Sequence, residues 1–156
     1  MKPVANWPPP ARAVSWNHEP RRVVHRNSHP RGALVANHVL LVEDNELARD
    51  ALRLLLQVTG HRVSVAGSVA EALAVARSER PDLLLLDLTL PDGDGLEIVH
   101  ELLVEDNPPT FVALTGHDAR EVADRCIAAG CVSVIVKPVS YKELLATVDP
   151  LLARRA

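Results

Sequence analysis

The feature that most constrains the fold is a run of four leucines, Leu83 to Leu86, that ends at Asp87. Four consecutive apolar residues fit a β-strand that is covered on both faces, and a parallel sheet with helices on either side provides that cover. The run therefore predicts a buried strand of an α/β domain. It also leaves one charged residue, Asp87, at the carboxyl end of that strand.

Strand and helix signals alternate along the chain from residue 38 onward. Short apolar runs predict four further strands, at 38–42, 62–66, 111–115 and 132–136. The spacing of apolar residues predicts five helices, at 45–59, from 68, at 96–104, at 118–129 and from 140. Five alternating pairs predict a doubly wound sheet, with right-handed crossovers that place helices on both faces.

Capping residues and breakers set the predicted helix ends. Ser68 with Glu71, and Ser140 with Glu143, have the spacing of a capping box, and Gly60 supplies a stop for the first helix. The fourth helix is predicted to be capped by Asp118 and Glu121 and closed by Gly130. The last helix is predicted to kink or end at Pro150. The predicted buried face of the first helix comprises Leu47, Ala48, Ala51, Leu52, Leu55 and Val58.

Residues 1–36 differ in composition from the rest and predict a basic, proline-rich arm that is disordered. Residues 1–37 carry six Lys or Arg and one acid, as well as six of the twelve prolines. The arm could contact nucleic acid or an acidic partner, but a solvated extension without a role is the simpler interpretation of its composition. The apolar runs are too short for a membrane span, and no continuous apolar segment near Lys2 suggests a secretory signal. With only two cysteines in the chain, a reducing, cytoplasmic setting is expected.

Polar residues end four of the predicted strands. Glu43 and Asp44 follow the first strand, Asp87 ends the third, Thr115 the fourth, and Lys137 follows the fifth. The carboxyl ends of parallel strands share one sheet edge, where ligands of open α/β sheets bind. A single acid after a strand is usually a helix cap, but four such strand ends predict a shared site.

The residue types at that edge suit phosphoryl transfer. Three close carboxylates would repel one another unless a cation joined them, and Mg²⁺ prefers oxygen ligands of this kind. Lys137 can hold an anionic oxygen, and Thr115 can donate a hydroxyl hydrogen bond. A carboxylate nucleophile, a divalent cation, an ammonium and a hydroxyl together form a plausible phosphoryl-transfer site.

In their order and spacing these segments resemble the receiver domains of two-component response regulators. The segments that carry the resemblance are LLVEDN at 40–45, LLDLTLPDGDG at 85–95, ALTG at 113–116 and VKP at 136–138. The resemblance covers residues 38 to about 153, and we place the receiver domain at 37–156. It implies a flavodoxin-like fold with strand order 2-1-3-4-5.

The resemblance also implies roles for individual residues. Asp87 would accept a phosphoryl group from a phosphohistidine of a sensor kinase or of a phosphotransfer protein. Asp44 would bind Mg²⁺ (or Mn²⁺) directly and Glu43 largely through water, with Asp87 and the backbone carbonyl of Thr89 as further ligands. Thr115 and Lys137 would each contact a phosphoryl oxygen, and the Lys137–Pro138 peptide is expected to be cis.

The sequence departs from the family pattern at one place. Val134 stands three residues before the lysine, where the family usually has Tyr or Phe that follows the movement of the threonine. The usual threonine–aromatic coupling therefore cannot operate here, and plain packing is the simpler interpretation of Val134. His117 and Thr89 are interpreted as modulators of phosphoryl lifetime, although His117 fits an ordinary loop position equally well. Cys126 and Cys131 are interpreted as packing residues.

The leading hypothesis is a phosphorylation-controlled protein-binding module rather than an enzyme. Contacts with a downstream protein, or a second copy, are expected on the face formed by the fourth helix, fifth strand and fifth helix, and no output domain is expected after that helix. One alternative is an aspartyl-phosphate phosphatase or phosphotransferase, although no segment long enough for a cap is present. Others are a degenerate receiver that binds partners without phosphorylation, and a nucleic-acid tether in the arm.

Overall fold

The computed structural model describes residues 36–116 and 120–155, which form alternating strands and helices. The strands are β1 (His38–Val42), β2 (Arg62–Ala66), β3 (Leu83–Asp87), β4 (Thr89–Leu90), β5 (Gly93–Asp94), β6 (Thr110–Thr115) and β7 (Ser133–Val136). The helices are α1 (Glu46–Val58), α2 (Val69–Glu79), α3 (Leu96–Leu103), α4 (Arg120–Ala129) and α5 (Tyr141–Ala153). Nearly the whole predicted arm lies outside the described residues, so its disorder stays a prediction.

Five of the strands form one parallel sheet in the order β2-β1-β3-β6-β7. Counted without the small β4–β5 pair, this is the predicted order 2-1-3-4-5, and the doubly wound, flavodoxin-like fold is confirmed. The register pairs Leu84 of β3 with Leu40 on one side and Phe111 on the other. The carboxyl ends of β1, β3, β6 and β7 consequently meet at one edge.

The four leucines of β3 alternate between the two layers of the core. Leu84 and Leu86 pack in the layer that includes residues of α2, α3 and α4, whereas Leu83 and Leu85 pack in the layer that includes residues of α1 and α5. All four side chains are fully buried. Burial of each stabilises the fold by about 1.5–3 kcal/mol relative to an exposed position. The leucine run thus holds both helical layers to the sheet.

Two predicted helix caps are present as expected. The Ser68 hydroxyl accepts a hydrogen bond from the Glu71 N–H at 3.1 Å, and the Ser140 hydroxyl accepts one from the Glu143 N–H at 3.2 Å. The Glu71 carboxylate accepts from the N–H of Gly67 at 2.7 Å, one residue earlier than a capping box requires. The predicted cap Asp118 and the predicted modulator His117 lie in the undescribed segment 117–119.

The predicted buried face of α1 was wrong in part. Leu47 is 84% exposed and Val58 is 76% exposed, whereas Leu56 is fully buried beside Leu52. Leucines at 52, 54, 55 and 56 offer several possible faces, so the sequence alone did not identify the one that packs. The outer face of α1, which we define as Leu47, Ala51, Leu54 and Val58, carries exposed apolar side chains.

Pro150 does not end the last helix, so of the two outcomes expected from the sequence, a kink or an end, the end is wrong. The helix α5 continues through it to Ala153. A proline costs a helix one backbone hydrogen bond, but the burial of Leu144, Val148 and Leu152 along the inner face of α5 offsets that loss. In the described part of the chain, no helix is long and apolar enough to cross a membrane.

Candidate functional site

The predicted acidic residues converge at the carboxyl edge of the sheet. Glu43 and Asp44 directly follow β1. Asp87 is the last residue of β3, the central strand of the sheet, which lies next to β1. Each of the three offers a carboxylate oxygen, and these oxygens lie within 4.8 Å of one another. Glu43 and Asp87 are buried, while Asp44 is exposed. The structure therefore brings Asp87 together with two acids, Glu43 and Asp44, that lie more than 40 residues before it in the sequence.

Lys137 joins this acidic cluster from the end of β7. Its ammonium donates to Glu43 Oε2 at 2.6 Å and to Asp87 Oδ2 at 2.8 Å. Partial burial acts to lower the pKa of Lys137, but the hydrogen bonds and charges of Asp87 and Glu43 outweigh it, and the pKa is raised. The lysine therefore stays a fixed positive charge between the two carboxylates.

The backbone around Lys137 has the geometry expected from the sequence. Its N–H donates to the carbonyl oxygen of Thr115 at 2.7 Å, and the peptide bond to Pro138 is cis. The Thr115 residue is buried at the same edge and lines the same cavity as Asp87 and Lys137. Thr115 and Lys137 thus line one cavity together with the phosphoacceptor candidate.

Backbone N–H groups orient the two buried carboxylates. Asn45 N–H donates to Glu43 Oε1 at 3.1 Å, and Thr89 N–H donates to Asp87 Oδ1 at 3.1 Å. Glu43 therefore has one oxygen on a backbone amide and the other on Lys137. Asn45 also begins α1, because its side chain accepts from the Ala48 N–H at 3.0 Å. The start of α1 and the acidic site are built from the same short segment.

A short hairpin after Asp87, in a stretch where no strand was predicted from the sequence, forms one wall of the site. Thr89 pairs with Asp94 and Leu90 with Gly93 in an antiparallel arrangement. Gly95 follows the hairpin, and a Cβ atom at this position would come within 2.1 Å of the Asp87 carbonyl oxygen. Only glycine allows this approach of the hairpin to the end of β3.

Asp92, in the hairpin turn, fastens the hairpin to α2. Its two carboxylate oxygens accept from the N–H groups of Val69 at 2.7 Å and Ala70 at 3.0 Å. These hydrogen bonds lower the pKa of Asp92, as expected for a carboxylate at a helix N-terminus. The sequence predicted no role for Asp92, because the partner N–H groups lie on α2, more than 20 residues earlier in the chain.

A cavity of about 500 Å³ opens beside Asp87. The residues that line it are Asp87, Leu88, Thr89, Gly93, Asp94, Thr115, Gly116, Val122, Arg125 and Lys137. Two of them, Val122 and Arg125, belong to α4 and were missed by the sequence analysis. Their helical spacing gave no signal, because an exposed arginine on a helix is ordinary. The cavity therefore borders α4 as well as the strand ends.

The donor set fits a divalent cation. Glu43, Asp44 and Asp87 supply three carboxylates, and Lys137 supplies one opposing charge, which leaves a formal excess of two negative charges. Hard cations such as Mg²⁺ prefer carboxylate and carbonyl oxygens, and Mg²⁺ keeps several water ligands. The exposed position of Asp44 leaves one side of the cluster accessible to such a hydrated ion.

The remaining residues singled out in the sequence occupy structural positions. Val134 pairs in register with Ala113 of β6 and packs, partly buried, against the core layer of α2, α3 and α4. Cys126 and Cys131 are both free and buried in that layer. Burial raises the pKa of Cys131 to about 12, so the thiol is unreactive.

Comparisons with known proteins identify the family to which this chain is similar. The sequence profile of the response regulator receiver domain matches residues 39–149. The chain is 34% identical over 116 residues to the probable transcriptional regulatory protein TcrX of Mycobacterium tuberculosis, which covers 74% of this chain and 50% of TcrX. It is 35% identical over 116 residues to the transcriptional regulatory protein AfsQ1 of Streptomyces coelicolor, with 74% and 51% covered. The chain thus spans about half the length of the curated relatives it matches.

Solved structures show the same fold. The chemotaxis response regulator CheY4 of Vibrio cholerae aligns with a TM-score of 0.71 and 28% identity, covering 75% of this chain and 99% of CheY4. A putative response regulator from Chloroflexus aurantiacus aligns with a TM-score of 0.73 and 27% identity, covering 76% and 99%. The profile match, the sheet order and the shared fold lead to one conclusion: the chain belongs to the receiver domain family of two-component response regulators.

Proposed function

We propose that Asp87 accepts a phosphoryl group from a phosphohistidine in a Mg²⁺-dependent reaction, and that its phosphorylation state controls contacts with other proteins. The observation that carries this proposal is that Lys137 Nζ lies 2.8 Å from Asp87 Oδ2, and that Asp87 itself belongs to a cluster of three carboxylates. Phosphoryl transfer depends mainly on positioning and on charge stabilisation, and this arrangement supplies both. The protein would then be a phosphoacceptor that assists its own phosphorylation and dephosphorylation, not an enzyme with an external substrate.

In the proposed reaction a carboxylate oxygen of Asp87 attacks the phosphorus atom of the phosphohistidine. The new O–P bond forms as the P–N bond breaks, and the departing imidazole keeps the electron pair. The Thr89 N–H, which holds Asp87 Oδ1, orients the attacking carboxylate. Lys137 then pairs with one phosphoryl oxygen, and the Thr115 hydroxyl donates to another.

Glu43, Asp44 and Asp87, with the backbone carbonyl of Thr89, would hold Mg²⁺ (or Mn²⁺). When bound, the metal offsets the negative charge of the transferring phosphoryl group. Both carboxylate oxygens of Glu43 already accept protein hydrogen bonds, which supports contact with the metal through water. Asp44 is exposed, which supports its role as a direct ligand.

The phosphodonor is expected to be a sensor histidine kinase or a histidine phosphotransfer protein. Such a donor has to cover the site, and the outer face of α1 begins beside it. An apolar cavity of about 250 Å³ between α1 and residues 137–139 is lined by Glu43 and Lys137 of the site and by Ala48, Ala51 and Leu55 of α1. Ala51 belongs both to this lining and to the outer face of α1, so a donor that covers the site could also contact that face, as partners of helical docking surfaces do.

The phosphorylation signal is expected to leave through the face formed by α4, β7 and α5. Val136 and Tyr141 are exposed apolar side chains on this face, which would suit a downstream protein or a second copy of the chain. We place the exchange in the cytoplasm, a setting that suits the free thiols of Cys126 and Cys131. Nucleic-acid binding is not part of the proposed role of this domain.

Labelling with a small phosphodonor tests the proposal. Incubation with phosphoramidate and Mg²⁺ should add one phosphoryl group per chain, measured by intact mass, and the Asp87→Asn variant should remain unlabelled. The Asp124→Asn variant, which removes an exposed carboxylate of α4, is the matched control and should label like the original protein. Labelling of Asp87→Asn would contradict the assignment. Absence of labelling would favour a degenerate receiver, and many turnovers on a phosphomonoester would favour a phosphatase.

A further inference from the structure

Helix α4 forms part of the wall around the proposed phosphoacceptor. Val122 and Arg125, three residues apart on the same side of the helix, both line the cavity that contains Asp87, Thr115 and Lys137. Of the side chains that line this cavity, Lys137 and Arg125 are the two cations. Lys137 is already bound to carboxylates of the site, whereas Arg125 contacts none of them.

The partner of Arg125 is Asp94, at the end of the hairpin. Arg125 Nη2 lies 3.1 Å from Asp94 Oδ2, and the two side chains are 56% and 41% exposed. An ion pair in such contact with water is weak, because water competes for both charges. If Arg125 moves away, the Asp94 carboxylate still has a hydrogen-bond partner, because its Oδ1 accepts from the Leu96 N–H at 2.9 Å. Arg125 can therefore change partners at small cost.

Open space on both sides of this ion pair permits such a movement. Asp94 and Arg125 line the cavity beside Asp87, and they also line a second cavity of about 370 Å³ between α3 and α4. The guanidinium is therefore not fixed by packing on either side. Its pair with Asp94 forms the partition between the two cavities.

The charge of the site changes when Asp87 is phosphorylated. With a divalent cation bound, the three carboxylates and Lys137 are formally balanced. A phosphoryl group replaces the single charge of Asp87 with about −1.5 to −2, so the site gains excess negative charge. The planar guanidinium of arginine binds two phosphoryl oxygens through parallel N–H groups. Such a contact is stronger than an ion pair between an arginine and an exposed carboxylate.

We propose that Arg125 is a phosphoryl-binding residue that leaves Asp94 and pairs with the phosphorylated side chain of Asp87. This inference rests on the proposed function, because it requires a phosphoryl group on Asp87. The exchange would connect phosphorylation directly to α4, one of the elements of the expected output face. Val134 lacks the aromatic ring of the residue usual at its position, and Arg125 would give this chain a separate route from the site to α4.

Beryllofluoride, a mimic of the phosphoryl group on aspartate, provides the test in the presence of Mg²⁺. We would measure its affinity by ¹⁹F NMR and follow the backbone amides of α4 by ¹H–¹⁵N NMR. The Arg125→Gln variant should bind beryllofluoride about tenfold more weakly, the size expected for one charge-assisted contact. In that variant the α4 amides should lose most of their response. Arg120→Gln, which removes the same charge from the start of α4 outside the cavity, should behave like the original protein.

A second variant tests the exchange of partners in the opposite direction. Asp94→Asn weakens the hold on Arg125 while keeping an oxygen for the Leu96 N–H, so it should bind beryllofluoride several-fold more tightly. Equal affinity and equal α4 response in the original protein, Arg125→Gln and Arg120→Gln would overturn the inference and leave the proposed function intact. Failure of the original protein to bind beryllofluoride would overturn this inference, and it would overturn the proposed function as well if phosphoramidate also left Asp87 unlabelled. The separate labelling of Asp87 by phosphoramidate distinguishes the two failures.

Discussion

At the scale of single residues, the close approach at Gly95 is the tightest constraint on the site. The hairpin that follows Asp87 folds back so closely that a Cβ atom at Gly95 would overlap the carbonyl oxygen of Asp87. The Gly95 N–H also donates to the Leu88 carbonyl oxygen at 2.8 Å. A side chain at this position has no room, because the nearest atoms belong to backbone rather than to a flexible side chain. Gly95 therefore supports the site without contacting any ligand.

The Gly95→Ala substitution should destabilise the fold by about 1–3 kcal/mol or more, as expected for overpacking against backbone. It should also weaken Mg²⁺ binding, because the end of β3 has to move. Urea unfolding and a Mg²⁺ titration would measure the two effects. Gly116→Ala is the matched control, since a Cβ there meets no atom within 4 Å although the residue lines the same cavity. Equal stability of the two variants would contradict the packing argument.

His38 gives a residue-scale prediction at the opposite edge of the sheet. Its Nε2 lies 2.8 Å from Ser64 Oγ and 3.4 Å from Glu79 Oε2, and Arg62 and Asp82 also face it. Burial, and then the charge of Arg62, lower the pKa of His38 despite the opposing effect of Glu79 and Asp82. The unfolded chain therefore takes up a proton near pH 6.5 that the folded chain does not take up.

The contribution of neutral His38 to the free energy of unfolding should accordingly be fully present above about pH 6.5. It should be lost as the pH decreases through the lowered pKa of His38. The His38→Gln variant removes this titration and keeps a polar group near Ser64, so its stability should decrease less over the same range. Urea unfolding of both proteins between pH 7.5 and roughly 5 would test this. His61, which contacts Asp149, is present in both proteins and cancels in the comparison. Parallel curves would contradict the prediction.

At the scale of elements, the sequence predicted all five helices and all five strands of the main sheet, mostly to within one or two residues. Apolar runs and caps are local signals, so Ser68, Ser140 and the leucines of β3 could be interpreted directly. The hairpin β4–β5 was missed because strands of two residues carry no periodicity. The contact of Arg125 with Asp94 joins α4 to the hairpin, and no local pattern predicts such a pairing.

Pro150 shows how packing overrides a local signal within one element. The helix α5 continues past this proline without the backbone hydrogen bond that its N–H would have made. The Pro150→Ala substitution should restore that bond and stabilise the protein by about 1–3 kcal/mol, partly reduced by the greater freedom of the unfolded chain. Lys142→Ala, at an exposed position of the same helix, should change stability by no more than about 0.5 kcal/mol. A loss of stability in Pro150→Ala, measured by urea unfolding, would show that the proline fits its position.

At the scale of the whole molecule, folding brings three carboxylates together, and their mutual electrostatic repulsion destabilises the folded state. The order of the strands brings Glu43, Asp44 and Asp87 together, and a single lysine offsets only part of their charge. The sequence predicted these residues because each one interrupts or ends an apolar strand, and the parallel sheet gathers strand ends. It could not predict their hydrogen bonds, which depend on the loops between the elements. A ligand that relieves the repulsion should therefore stabilise the entire fold.

We expect Mg²⁺ to raise the free energy of unfolding, because only the folded chain gathers the three carboxylates. At a concentration one hundred times its dissociation constant, a ligand specific for the folded state contributes about 2.7 kcal/mol. Thermal unfolding at increasing MgCl₂ would show the midpoint rising, with NaCl at matched ionic strength as the salt control. Asp44→Asn should abolish the rise, and it should itself be more stable than the original protein without metal, since it removes one repelling charge. Asp124→Asn should keep the full response. A midpoint independent of Mg²⁺ would contradict the metal assignment while leaving the fold unaffected, because the leucine layers hold the sheet without the ion.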